Sequence, residues 1–155
     1  MAVTASGLFL VTFIDIMDNT QLAVDWSLAT HRVAFLSNSA TPNFDTDSSW
    51  NSTNEVTGTG WATGGVLLSA AAAGATSTAP TNTISPTGTW MYDMNDIAVS
   101  GTTVSNARAL RQYADALAGD NLMYLINFTA DFSTNNGVFG VQFAGTGVIA
   151  LDVTP

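Results

Sequence analysis

Between Leu8 and Asn19 the polar residues Thr12, Asp15 and Asn19 recur three and four positions apart in an otherwise apolar run. That spacing predicts a helix with a wide buried apolar face, with Ser6 placed to cap its start. Elsewhere the pattern is that of strands and turns. HRVAFLS (31–37) has strand length and ends in SNSATPNFDTDSSWNSTN, which is dense in turn formers. GWATGGVLLSA predicts a bent strand. From Gly74 to Gly88 the chain is Thr, Ser, Ala, Pro and Asn, including Pro80 and Pro86, so residues 70–88 read as a loop or arm. WMYDMNDIAVS (90–100) follows as strand before a Gly-Thr-Thr turn. NARALRQYADALAGDN is ambiguous, because Ala107, Leu110 and Ala114 fit a helix while the flanks are strand-like.

Towards the C-terminus Phe139, Val141 and Phe143 share one face, opposite Val138, Gly140 and Gln142. Ile149, Leu151 and Val153 then alternate against Val148, Ala150 and Asp152. With Gly145 and Gly147 between them, the two runs predict paired strands of one antiparallel sheet. Asn135–Gly137 marks a tight turn before the first. The chain has no internal repeat. Its predicted class is mainly β: an antiparallel β-sandwich with one N-terminal helix and a long Ala/Thr/Pro-rich loop or arm. One domain spans residues 1–155.

Composition narrows the chemistry. A chain of 155 residues, 46% apolar, can bury roughly 70% of its unfolded surface. It has no lysine, only Arg32, Arg108 and Arg111 as strong bases, and a net charge of −9. Nucleic acid and anionic membranes are poor partners for such a surface. The absence of cysteine excludes disulfides, thiolate nucleophiles and Cys-ligated metals, and the absence of lysine excludes Schiff bases. LFLVTFIDIM (8–17) lacks a positive flank and carries Asp15, so the chain reads as soluble and uncleaved.

The candidate sites each meet a simpler reading. NEVTGTGWATGGVLL (54–68) is rich in glycine, but Thr63 stands where the third glycine of a dinucleotide fingerprint belongs, and a phosphate loop needs lysine. Gly58, Gly60, Gly64 and Gly65 therefore read as turns or bulges around Trp61. His31 is the only histidine and no G-x-S-x-G elbow accompanies it, so a surface or partly packed role is expected. Asn43, Asp45 and Asp47 alternate as the first calcium ligands of a loop would. Ser48 replaces the needed glycine and Glu55 falls one place late, so Asp45 and Asp47 are calcium candidates beside the reading of a solvated turn. Asp93 with Asp96, and Asp115 with Asp120, are available as carboxylate pairs for glycoside hydrolysis, whose chemistry depends on their separation in space. Trp26, Trp50, Trp61, Trp90 and Tyr92 could stack on sugars or anchor an interface, against core packing. The sequons at Asn51 and Asn127 matter only in a secretory pathway.

One block of the chain resembles a known family. Val24-Asp25-Trp26, Val33-Ala34-Phe35-Leu36, Thr41-Pro42, Asp45-Thr46, Trp50, Asn54-Glu55-Val56, Gly58-Thr59-Gly60-Trp61 and Gly64-Gly65 follow the order of motifs in small virion proteins of tailed bacteriophages. The closing segment from Asp120 to Val153 is similar to that family's last strands, with Phe143 where tryptophan is usual. The resemblance covers about two thirds of the chain and leaves out the section from Ala70 to Thr87. It implies a β-rich, non-enzymatic structural subunit without a cofactor, and it makes the segment NARALRQYADALAG a strand and its hairpin. Trp26, Trp50, Gly58, Gly60, Trp61, Gly64 and Gly65 are then structural motif residues. The implied role is capsid decoration or cementing on the virion exterior after synthesis in the bacterial cytoplasm. The implied partners are the major capsid protein and further copies of the chain, with a trimer expected. A tail-tube or fibre-associated component is the alternative, and a carbohydrate-binding module belongs to a third class.

Overall fold

The structure, a computed structural model, describes residues 3–18, 23–71 and 80–152. Its spine is β2 (Arg32–Leu36), whose two faces enter different clusters. Val33 and Phe35 point one way, Ala34 and Leu36 the other, and all four are buried. β2 pairs with β8 (Ala107–Ala114), β8 with β9 (Asn121–Phe132), and β9 with the short β1 (Gly7–Leu8). On its other side β2 pairs with β3 (Glu55–Val56) and β4 (Val66–Leu67). All of these pairings are antiparallel.

Two smaller sheets cover one face of this central sheet. β6 (Thr89–Asp93) lies between β5 (Thr81–Ile84) and β11 (Ile149–Asp152), and β7 (Ile97–Thr102) pairs with β10 (Gly137–Val141). From them Tyr92, Ile97 and Phe139 join Val33, Phe35 and Leu110 in the larger core. The opposite face is covered by irregular chain, through Val3, Phe9 and Ala40, with Phe44 and Trp50 packed against it. The result is a mainly β antiparallel sandwich, as the pattern predicts, with an additional layer of loop.

This double covering explains β8. Seven of its eight positions are buried, so the alternation that marks a half-solvated strand is lost and a helix-like spacing survives by chance. Gln112 is among them, and its burial is matched by partners. Its Nε2 donates to Tyr92 Oη at 2.8 Å, and Tyr124 Oη donates to its Oε1 at 2.5 Å. Burial raises the pKa of both tyrosines, so the network stays neutral.

Several expectations need correction. The N-terminal helix is present as α1 (Leu10–Asp18), but Ser6 does not cap it. The Leu10 amide donates to Phe44 O, and Ser6 Oγ instead accepts the Asn127 amide on β9. Thr12 is buried in this helix whereas Leu10 and Ile14 are exposed, so the polar positions do not mark its solvent face. The 70–88 arm is in part a strand: β5 forms a hairpin with β6, and residues 72–79 lie outside the described chain. GWATGGVLLSA is a turn, the two-residue β4 and one helical turn, α2 (Leu68–Ala71), rather than a bent strand. The last two strands are not partners, since β10 pairs with β7 and β11 with β6. Val153 lies outside the described residues. Among the described residues no helix is long and apolar enough to cross a membrane.

The hinge of the core is Trp61, fully buried and stacked on Phe35 at 3.8 Å and 13°. Trp61→Ala is expected to lower unfolding free energy by about 3–5 kcal/mol in urea titration, the usual loss for a buried aromatic. A change below about 1 kcal/mol would contradict this packing.

Candidate functional site

The glycine block is a clasp. Gly58 and Trp61 exchange backbone hydrogen bonds of 2.8 and 3.0 Å around the two-residue turn Thr59-Gly60. Thr59 O accepts the Thr103 amide, and a Cβ on Gly58 would collide with the Thr103 carbonyl, so the turn can press against the end of β7 only with glycine there. Further on, the Gly64 peptide is held from both ends. Its N–H donates to Glu55 Oε1 at 2.8 Å, and its carbonyl accepts from Tyr113 Oη at 2.7 Å. Gly65 has φ +69° and lies directly on the backbone of β2, where a side chain would strike Val33 O. Burial raises the Glu55 pKa and pushes Tyr113 up to about 12. Glu55 Oε1 and Tyr113 Oη hold backbone, while Glu55 Oε2 and Trp61 Nε1 are buried without a hydrogen-bond partner.

The other motif residues are placed similarly. Trp26 is nearly buried and meets Tyr92 and Trp90 edge-on at 5.2 and 5.9 Å. Asp25 Oδ1 accepts from Ser27 N and Oγ, which lowers its pKa and shapes the turn. Trp50 lies near-parallel over Tyr113 at 5.4 Å, and its amide donates to Asp120 O. At the calcium candidates, Asp47 Oδ2 accepts the Asn43 amide and Asn43 Oδ1 accepts the Asp45 amide. Asp47 and Asn43 are thereby turned onto their own loop, in the manner of Asx turns. The sequon side chains do the same, Asn51 Oδ1 accepting from Thr53 N and Asn127 Oδ1 from Thr129 N. Asp115 is paired with Arg32 at 2.9 Å, while Asp93 and Asp96 line one shared opening with Phe143.

His31 is not at the surface. It is 1% exposed, and its Nε2–H donates to the Asp25 carbonyl at 2.7 Å, while Nδ1 has no partner. Only the neutral ring suits this pocket. Burial lowers its pKa, against weaker opposing effects of Asp25 and Asp115.

The surface feature that sequence reasoning missed is an apolar opening at the end of the sandwich. It holds about 360 Å³ and is lined by Phe128, Phe132, Ser133 and Thr134 on one side and residues 138–142 on the other. An aromatic series leads to it from the core: Trp61 on Phe35, Phe35 to Phe139 at 4.2 Å, Phe139 to Phe128 at 6.3 Å, and Phe128 to Phe132 at 6.0 Å. Phe132 and Val138 end the series about half exposed to solvent.

A bulge in β9 places these rings. Between the pairs Ala107↔Phe132 and Ala109↔Asn127 the register advances two residues on β8 and five on β9. Thr129 there has φ 64°, a conformation that costs energy for a β-branched residue. Arg108 offsets that cost: its Nε donates to Asp131 Oδ1 at 2.7 Å and its Nη1 to Thr129 O at 2.6 Å. No local signal in Phe-Thr-Ala-Asp-Phe announces this bulge except the three-residue gap between the phenylalanines.

Charge around the molecule is one-sided. Arg32 and Arg108 are paired with Asp115 and Asp131. Arg111 is 95% buried (5% exposed) and donates Nη2–H to Asn51 O. All three arginines of the chain are thus engaged internally, and the exposed charge that remains is carboxylate. Compared with known proteins, the chain matches no family model, and no curated protein or solved structure is similar to it.

Two outcomes follow from this geometry. Arg108→Ala should cost about 1.5–3 kcal/mol in urea, the range for hydrogen bonds to a charged group, and Arg108→Lys should not restore it because a lysine lacks the planar fork whose separate nitrogens reach the two acceptors. Full rescue by lysine would contradict the forked contact. For His31 the folded pKa is depressed, so its contribution is present above the ordinary imidazole range and is lost as pH falls through and below it. The thermal midpoint should therefore drop on acidification, and His31→Asn should flatten that part of the profile. An unchanged slope would contradict the neutral buried ring.

Proposed function

We propose that this protein is a non-enzymatic structural component of a tailed-phage virion. It decorates or cements the head by binding the major capsid protein on the capsid exterior, as a symmetric homo-oligomer, a trimer. The observation that carries this reading is the apolar, aromatic-lined opening between Phe132 and Val138 in a molecule whose exposed charge is acidic. A binding protein needs apolar area to desolvate against its partner together with enough charge to stay dispersed before assembly. A stable contact needs roughly 800 Å² on each side, so the opening would be the centre of a wider footprint. The resemblance of the 24–65 block to virion proteins supports the same reading. In this chain that block is devoted to holding backbone around Trp61, which suits a scaffold whose partner-facing surface lies elsewhere.

Purified protein added to phage capsids lacking it is expected to bind saturably and to raise their thermal disruption temperature. Capsids that neither bind the protein nor change in stability would contradict the proposal. Immunogold labelling of intact particles places the protein, and label on the tail alone would move it to the tube or fibre reading.

A further inference from the structure

We propose that the open side of the sandwich receives an extended strand from a partner protein, laid along β10 and carrying a lysine or arginine towards Asp93 and Asp96. That the partner is a capsid subunit rests on the function proposed above; the strand geometry does not.

Five consecutive residues of the chain, 138–142, line the first opening. Successive side chains of a strand point to opposite faces, so a hollow touched by every residue in a row lies against the edge of the strand. Among the described residues β10 pairs only with β7, which leaves its other edge without a neighbour. Across the hollow stand the rings of Phe128 and Phe132. A guest strand there would find backbone on one side and apolar rings on the other, the two requirements of strand addition.

The hollow continues. Gln142 is shared with a second opening of about 490 Å³, bounded by Leu8 and Ile126 on one side and Val148 and Ile149 on the other. There β11 also pairs with a single strand, β6. Phe143 belongs both to this opening and to a third that contains Asp93 and Asp96. Each of these carboxylates commits Oδ1 to a backbone amide, Asp93 to Met94 and Asp96 to Phe143, and so is held in place. One side of the molecule thus offers a free strand edge, apolar walls and a fixed negative end.

Charge selects the occupant. At this surface a second copy has no unengaged arginine to offer Asp93 and Asp96, and would bring only further carboxylate to the acidic end; contacts between copies fall on other surfaces. A foreign strand of about five residues, matching the length of β10, with apolar residues on alternate positions and a basic residue near one end, meets the surface without that penalty.

Two measurements test this. In hydrogen exchange on the protein bound to capsids lacking it, amides of Gly137–Val141 are expected to slow at least tenfold against the free protein. In an NMR titration, a peptide of alternating valine and threonine ending in two lysines should shift the amides of residues 138–142. Its glutamate-ended counterpart should bind at least tenfold more weakly, and the double variant Asp93→Asn, Asp96→Asn should narrow that gap. Capsid binding with unchanged exchange over Gly137–Val141 would overturn the strand mode and leave the decoration reading standing. Absence of capsid binding would remove the decoration reading, and the peptide titration would then decide the strand mode: no shifts over residues 138–142 would overturn it, and lysine-dependent shifts would support it.

Discussion

Trp61 lying flat on Phe35 is the contact through which the layers of this protein are joined. Phe35 belongs to β2, the strand that feeds both cores, and Trp61 is brought to it by a turn between Gly58 and Gly60 that presses on the end of β7. The same ring system reaches outward through Phe139 and Phe128 to the half-exposed Phe132. Packing at the centre and shape at the rim are therefore one continuous stack. A shift of Trp61 would be felt at the opening, because close-packed interiors transmit displacement rather than absorb it.

Parts of this arrangement were legible in the sequence, and the physical reason is that some residues report their own environment. HRVAFLS shows its strand by length and composition, and the spacing of Gly58, Gly60, Gly64 and Gly65, without lysine, already excluded a phosphate loop. Other parts were hidden because they depend on neighbours. Alternation in Val138–Phe143 and Val148–Asp152 tells which residues share a face and nothing of which strand lies alongside, and the two runs proved to belong to different sheets. β8 lost its period because both of its faces are covered. His31 gave no sign that the turn at Asp25 would close over it. The opening was the least visible feature, since it rests on a bulge at Thr129 held by Arg108, twenty-one positions away in the chain.

Open strand edges are a hazard for a protein in solution, because they invite pairing with any exposed strand. At this edge the hazard is met by charge: each arginine is already paired within its own molecule, so another copy has no free arginine to set against Asp93 and Asp96. The same arrangement leaves the edge free for a partner of opposite character. Under the proposed function, dispersal before assembly and adhesion after it would come from one distribution of residues, with apolar rings at the first opening and Asp93 and Asp96 at the third.

The most direct test is a cryo-electron reconstruction of capsids carrying this protein, at a resolution that separates strands. The account predicts a foreign extended chain beside β10, at the roughly 4.8 Å spacing of paired strands, with a basic side chain at Asp93 and Asp96. An opening that faces empty solvent, with the capsid contacts made by another surface of the molecule, would contradict it.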